Sequence, residues 1–399
     1  MTSASFEKRI KRQIIAKEHL FFAATTSGLK SICYRELNNI PGSFKEIRMV
    51  DGGVEFTGRM QDCYKANLYL RTANRILMRI GSLKASNFRT LEKKLLQFPW
   101  ELFLPFKNNI LPEISVTAKH SRLYHTKAVA DFFEKCITAR FSTISDFHDG
   151  EDAYLQQKLF IRIRNDKFLI SIDSSGELLH KRGIKKHNHM APIRETIAAA
   201  ALMIAGYQPG TPLLDPLCGS GTFSIEGAML TSNTPPGWFR DFAFMGWPCF
   251  RPAQWEYLKR EAGKKVSLVG QCRIFASDIH FEACSRLSDI LKANNLSAIA
   301  RTEQKDFFAF LPSDIFEETG LVILNPPYGL RMGNKNKSEN LLKKILNKLH
   351  ISYAGWKYAI VVPRNAIPKK KLPYSSSHPF THGGLDMVLL TGKIEKKAG

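Results

Sequence analysis

The sequence predicts an α/β protein: a doubly wound, mostly parallel sheet with an antiparallel edge hairpin in its second half, preceded by smaller α+β units. Three observations predict this. Beyond Pro192, short apolar runs alternate with helical segments, the pattern that buries parallel strands between two layers of helices. A turn holding two glycines directly follows one of these runs and opens a helix. Before about residue 173 the texture differs, mixing alternating strands with helices of ordinary length. At 399 residues the chain exceeds one domain of usual size, so a division into several units is expected.

Taken in order, the basic stretch Lys8 to Lys17 leads into a strand at Phe21-Phe22-Ala23-Ala24, whose apolar run stops at Thr25, too short for a signal core. Gly28 to Leu37 reads as a helix, Gly53-Val54-Glu55-Phe56 as a strand, and Gln61 to Met78 as one helix on its apolar period. Residues 1–80 are thus a basic N-terminal extension with a small α+β unit. Residues 81–173 repeat the mixture, with helices near Phe88–Phe98 and Lys127–Arg140 and strands at Ile114-Ser115-Val116 and Leu159 to Arg164. In the last strand Arg162 and Arg164 share one face, with Ile161 and Ile163 on the other.

Residues 174–191 read as a connector, because His180-Lys181-Arg182-Gly183-Ile184-Lys185-Lys186-His187-Asn188-His189 shows no periodicity. A solvated linker is the plain reading. Contact with phosphates through Lys181, Arg182, Lys185 and Lys186 is the functional one, since such contacts need only placed cations. The histidines have no acidic or thiol partner at ligand spacing, so no metal is expected. The unit from 192 to 399 begins with a helix from Arg194 to Ala205. It continues through strands at Leu213-Leu214, Arg273–Ser277, Leu321–Leu324 and Tyr358–Val362, and closes on a hairpin over Thr381–Ile394 that contains Gly383-Gly384.

The composition is that of an ordinary globular chain, and its informative number is the charge. Fifty-eight Lys and Arg against 36 Asp and Glu leave a formal charge of +22, a field that gathers polyanions and points to nucleic acid. Residues 1–190 carry 32 basic and 19 acidic side chains, residues 191–399 carry 26 and 17, so the front half leads. A membrane surface is the alternative, but no Lys-rich helix with a strong apolar face stands out. Seven scattered cysteines without a CxxC pair suit a reducing compartment, and no apolar run reaches membrane-spanning length, so a cytoplasmic location is expected.

Two motifs carry chemistry. In Asp215-Pro216-Leu217-Cys218-Gly219-Ser220-Gly221-Thr222, the glycines let a ligand approach the turn backbone and the helix start offers free N–H groups. The carboxylate of a methionine moiety suits those N–H groups and its amine suits Asp215, so S-adenosylmethionine is the expected cofactor. The lysine of a phosphate-binding loop is missing. The second motif, Asn325-Pro326-Pro327-Tyr328-Gly329, ends the strand Leu321–Leu324. There the Asn325 side chain and the Pro326 carbonyl converge as acceptors for an exocyclic amine, and Tyr328 offers a flat face to an extruded base. A buried tyrosine with no ligand is the competing reading for Tyr328. Asp278 and Asp306, at further strand ends, suit the ribose hydroxyls and the adenine amino group, against helix capping as the plain alternative. Cys218 and Thr222 belong to the cofactor turn, the thiol reading as a packing group. Seven aromatic residues between Trp238 and Trp255 read as a flank packed on the catalytic sheet rather than as a base-stacking surface.

These motifs, with His180-Lys181-Arg182-Gly183 and Ala191-Pro192-Ile193-Arg194-Glu195-Thr196 before them, resemble the THUMP-domain-containing RNA methyltransferases. The likeness is greatest to the bacterial 23S ribosomal RNA guanine-N2 methyltransferases once grouped with N6-adenine-specific DNA methylases. It runs from about Phe21 onward, strong in the catalytic motifs and diffuse in the THUMP part. It implies a ferredoxin-like segment within 1–80, a THUMP domain over 81–173, a Rossmann-like class I methyltransferase domain over 192–399, and 2-amino methylation of guanine. Some relatives carry a second methyltransferase domain, and this chain ends before one could fit, which leaves its relation to a second modification open. Asn325, Pro326 and Tyr328 are then the catalytic set. Asp215, Cys218, Gly219, Gly221, Thr222, Asp278, Asp306 and Asn325 hold the cofactor, and Arg162, Arg164, Lys181, Arg182, Lys185 and Lys186 contact RNA. The rivals are a transfer RNA guanine-N2 or an adenine-N6 methyltransferase and, from another class, a non-catalytic RNA-binding or assembly factor, whose mark would be damage to one of the two motifs.

Overall fold

Local preferences resolve into two seven-stranded sheets in a computed structural model that describes residues 3–42, 44–105, 111–143, 155–185, 193–267, 271–327, 335–367 and 376–395. The chain forms two discontinuous units: Met1–Ala24, Tyr34–Leu179 and Arg240–Lys259 form one, and Thr25–Cys33, His180–Phe239 and Arg260–Gly399 the other.

Up to residue 179 the chain forms α1 (Ser3–Ile10), β1 (His19–Thr25), α2 (Lys30–Asn39), β2 (Lys45–Val50), β3 (Gly53–Gly58), α3 (Met60–Tyr69), β4 (Ala73–Lys84), α4 (Phe88–Gln97), β5 (Glu113–Lys119), α5 (Thr126–Ser142), β6 (Lys158–Arg164) and β7 (Lys167–Asp173). Its sheet runs β2-β3-β1-β4-β7-β6-β5, and β5 and β6 pair in parallel. Strand β6 buries Leu159, Ile161 and Ile163 and exposes Arg162 and Arg164, the two-residue alternation of a half-buried strand.

The helix expected over Gln61 to Met78 is corrected. It stops at Tyr69, and the chain re-emerges as the twelve-residue strand β4 in the middle of the sheet. Half-buried Glu36 accepts the backbone N–H groups of Arg71 at 2.8 Å and Thr72 at 3.0 Å, capturing donors in the stretch where the backbone turns extended at Leu70. The run Ile76-Leu77-Met78 is buried throughout, as suits a central strand, and such a run has no period that separates strand from buried helix.

Beyond residue 193 the elements are α6 (Glu195–Ile204), β8 (Leu213–Asp215), α7 (Thr222–Thr231), α8 (Pro252–Gly263), β9 (Ile274–Asp278), α9 (Phe281–Ala293), β10 (Ala300–Gln304), β11 (Leu321–Leu324), α10 (Lys335–Ser352), β12 (Lys357–Pro363), β13 (Ser376–His382) and β14 (Leu385–Lys393). The second sheet runs β10-β9-β8-β11-β12-β14-β13, with parallel pairing from β10 to β12 and antiparallel pairing of β14 with both neighbours. Alternate strand residues feed two cores. Leu213, Ile274, Ile323 and Val361 pack with α6, α7 and α9, while Leu214, Phe275, Val322 and Ile360 pack with α10, as in a doubly wound sheet. The edge hairpin starts at Ser376, ahead of the expected Thr381, and turns through Gly383 and Gly384, both at positive φ.

The aromatic segment is a second correction. Five of its rings, Phe242, Phe244, Trp247, Phe250 and Trp255, fold with the first unit rather than on the catalytic sheet. Phe244 stacks on Tyr64 of α3 with ring centroids 4.6 Å apart, and Trp255 meets Phe244 edge-on at 5.4 Å. Trp247 Nε1 donates to Gln157 Oε1 at 2.8 Å, and the Arg240 guanidinium donates to the carbonyls of Ser175, Glu177 and Leu178. Apolar burial has no direction of its own, and the partner of these rings lies some 180 residues earlier in the chain.

Candidate active site at the carboxyl edge of the second sheet

Because β10, β9, β8 and β11 are adjacent and parallel, their carboxyl ends open on one edge. Asp306, Asp278, Asp215 and Asn325 stand at or just past those four ends, in that order across the sheet. These four positions are spread from residue 215 to residue 325 of the sequence and share only that edge.

The turn after β8 is shaped by its glycines. Gly219 (φ +50°) and Gly221 (φ +69°) occupy the left-handed region, and Gly221 N donates to Cys218 O at 2.7 Å as the chain enters α7. A Cβ on Gly221 would stand 2.3 Å from a buried Leu287 methyl and would have to displace it, whereas one on Gly219 would meet nothing within 4 Å. The turn is tied to β9 by Cys218 N donating to Ser277 O at 2.9 Å and Gly219 N to Asp278 Oδ2 at 3.0 Å. Asp278 Oδ1 accepts from His280 N at 3.0 Å. Two ionised oxygens offer about four acceptor directions, so these bonds orient Asp278 without exhausting it. Asp306 accepts from Phe308 N at 3.0 Å and caps the short turn Phe307–Ala309, the plainer of its two expected roles. The Cys218 thiol is buried against that of Cys284 on α9, and this contact, followed by burial, pushes it up.

Asp215 is 1% exposed, and Ser224 Oγ donates to its Oδ2 at 2.8 Å. Burial pushes its carboxyl up to about 7, aided by the Asp278 charge and opposed by Ser224 and the Lys185 ammonium. Its Oδ1 is buried without a hydrogen-bond partner, and so is Oδ1 of Asn325. Orphaned acceptors of this kind are costly unless a donor arrives, so both suit a ligand that carries amino groups. The open space over Gly219 and the N-terminus of α7 suit that ligand's anionic end. Pro326 is buried next to Asn325, while Tyr328 lies outside the described residues.

The basic connector behaves differently from its reading as a phosphate clasp. Arg182 is buried inside the second unit, where its Nε donates to Glu226 Oε1 at 2.9 Å and its Nη2 to Oε2 at 3.4 Å, with side-chain exposures of 3% and 0%. The Lys185 side chain is 7% exposed; its ammonium donates to Thr222 Oγ1 at 2.8 Å and lies 3.2 Å from Glu195 Oε1. Neither side chain is exposed for the RNA contact expected of it: Arg182 is paired with Glu226, and Lys185 turns inward to Thr222 and Glu195. Lys181 is exposed, and Lys186 with the histidines after it lies outside the described residues. Ser224, Glu226 and Glu195 were missed by sequence reasoning. The available signal was the single charged residue, a carboxylate, in the buried helix α7, which calls for a buried cation.

On the first unit, a cavity of about 590 Å³ is lined by Arg79, Lys84, Arg162, Arg164 and Lys167, with Asp51 and Glu55 at its side. Arg162 lies 3.4 Å from exposed Asp51, a pair that solvent screens strongly.

Residues 182–372 match the family described as RMKL-like, methyltransferase domain, and residues 20–77 match the RlmL ferredoxin-like domain. The chain is 32% identical over 338 residues to "Putative RNA methyltransferase YpsC" of Bacillus subtilis, covering 82% of this chain and 84% of that one. It is 31% identical over 397 residues to "Ribosomal RNA large subunit methyltransferase K/L" of Allochromatium vinosum, covering 95% of this chain and 52% of the relative. The chain thus spans about half the length of the K/L proteins it matches. Among solved structures, "SMU.472, a putative methyltransferase complexed with SAH" superposes with a TM-score of 0.82 at 25% identity, covering 96% of this chain and 100% of that one.

Proposed function

Because this chain belongs to the RMKL-like RNA methyltransferase family, we propose that it transfers a methyl group from S-adenosylmethionine to the exocyclic N2 of a guanine in large-subunit ribosomal RNA. The single observation that carries this reading is the set of four polar residues at adjacent strand ends, with orphaned acceptors on Asp215 and Asn325. SAH, named with the SMU.472 structure, is S-adenosylmethionine without its methyl group, and the same cofactor suits the donors and acceptors present here.

In this reading Asp215 takes the cofactor's ammonium, and Cys218, Gly219, Gly221 and Thr222 form the turn that receives the rest of the methionine moiety. Asp278 accepts from the ribose hydroxyls and Asp306 from the adenine amino group. The cofactor supplies an electrophilic methyl on a sulfonium. A guanine 2-amino group is a weak nucleophile whose lone pair is delocalised into the ring. Accepting its two N–H bonds on Asn325 Oδ1 and Pro326 O orients that lone pair outward and holds the developing positive charge. Tyr328 provides the stacking face for the flipped base.

RNA capture is assigned to the front of the chain: the ferredoxin-like segment up to residue 80 and a THUMP domain over 81–173, with 174–191 as connector and 192–399, without the segment Arg240–Lys259 that folds with the first unit, as the methyltransferase domain. The cationic cavity that holds Arg162 and Arg164, together with the 32 basic against 19 acidic side chains of residues 1–190, supports this placement, and Lys181 and Lys186 remain candidates for further phosphate contacts. Asn325→Ala is expected to abolish transfer while leaving SAH affinity within about threefold, a difference under 1 kcal/mol. Nucleoside analysis after incubation with unmodified RNA identifies the product. N2-methylguanosine in large-subunit RNA supports the reading, the same nucleoside in transfer RNA moves the target, and N6-methyladenosine changes the base. Full turnover by the Asn325→Ala protein removes Asn325 from the mechanism.

A further inference from the structure

Lys185 was read from the sequence as an RNA contact, and its surroundings fit a different ligand. Its side chain is 93% buried, and its ammonium reaches the first residue of α7, where Thr222 Oγ1 accepts at 2.8 Å. Ser220 Oγ lies 3.1 Å from that same hydroxyl, so the cation is embedded in the glycine turn. Glu195 on α6 holds it from the other side at 3.2 Å. An ammonium has three donors, and these two oxygens account for two. Its charge also acts on Asp215, the 99% buried carboxylate whose Oδ1 has no partner. The start of α7 is thus flanked by the carboxyl of Asp215, which accepts from Ser224, and by the ammonium of Lys185, which donates to Thr222.

That arrangement matches an α-amino acid, in which an ammonium and a carboxylate leave the same carbon. We propose that Lys185 binds the carboxylate of the cofactor's methionine moiety, held in place by Glu195, while Asp215 binds the ammonium. This inference rests on the S-adenosylmethionine reading above and assigns recognition of the zwitterion to a residue outside the glycine turn. Glu195 acts through Lys185 and is a positioning residue. The pairing also gives Lys185 its burial, since a cation on a solvated connector has no need of an acid from α6 or a hydroxyl from α7.

The test compares two ligands on the full chain by titration calorimetry. SAH carries the amino-acid part, and 5′-methylthioadenosine keeps the adenosyl thioether without it. Lys185→Met is expected to weaken SAH by roughly 10- to 100-fold, the range of one charge-assisted hydrogen bond, and to leave methylthioadenosine within twofold. Because Lys185→Met leaves Glu195 unpaired, the double variant Lys185→Met with Glu195→Gln reads the same ratio in a protein without that unbalanced charge. An unchanged ratio of SAH to methylthioadenosine affinity in both variants overturns the proposal and leaves Lys185 as a strut between α6 and α7. A wild-type chain that binds neither ligand overturns the cofactor reading itself, a result that the ratio measurement keeps separate.

Discussion

Replacing Arg182 by Met separates a structural cation from an RNA-binding one. Arg182 and Glu226 are 3% and 0% exposed, and two guanidinium N–H groups reach the two carboxylate oxygens at 2.9 and 3.4 Å. Glu226 sits on α7 among Phe223, Ile225, Ala228 and Met229, and losing Arg182 removes the guanidinium that both of its carboxylate oxygens face. Removing one partner of such a pair costs about 3–5 kcal/mol, a large share of a stability of roughly 5–15 kcal/mol. For a unit of this size the melting temperature falls by ~2–4 °C per kcal/mol, so a drop of ~6–20 °C is expected. Urea and thermal unfolding of the full chain read it directly. Arg182→Met with Glu226→Leu should recover most of the loss, because it removes both charges of the buried pair together. Filter binding with structured RNA at two salt concentrations completes the assay. A variant that melts within about 1 °C of wild type yet loses RNA affinity with a shallower salt dependence would refute this assignment and restore Arg182 to the RNA surface.

Four further outcomes are expected. Gly221→Ala forces a left-handed residue against Leu287 and should cost roughly 2–5 kcal/mol, from strain and overpacking together. Gly219→Ala meets open space and should cost only about 1–2 kcal/mol while weakening SAH by tenfold or more, so equal effects of the two on stability would count against a ligand over Gly219. Phe244→Ala should destabilise the first unit by ~3–5 kcal/mol, seen as faster amide exchange in α3, and unchanged exchange there would undo the placement of the aromatic segment. Asp215, raised from 3.8 to about 7 by burial, keeps a proton in the folded state that the unfolded chain has released. Its contribution to stability is therefore fully present below the unfolded value and is lost as pH rises through about 7, by at most on the order of 4 kcal/mol. Asp215→Asn should flatten this decline in urea denaturation between pH 4.5 and 8, and an equal decline in both proteins would place its cause elsewhere.

Local chemistry made the active-site edge legible. The glycine turn, the apolar run before it and the helix after it are neighbours in sequence, and Asn325-Pro326-Pro327 follows its strand directly, so each motif carries its own context. The parallel order of the strands then brought Asp215, Asp278, Asp306 and Asn325 to one edge, as alternating strands and helices predict. Three features were not local and were read otherwise from the sequence. The run Ile76-Leu77-Met78 fits a buried helix or a central strand equally well, and the choice came from its neighbours β7 and β1 and from Glu36 capturing the backbone beyond α3. The aromatic segment carried hydrophobicity without an address, and Tyr64 supplied one from the other end of the chain. The cations of the connector looked solvated because Glu226 is 44 residues away from Arg182. Short-range patterns specify secondary structure and turns because the backbone responds to its immediate neighbours. Whether a charge lies in water or in an ion pair depends on desolvation by residues distant in sequence, and only the folded chain decided that.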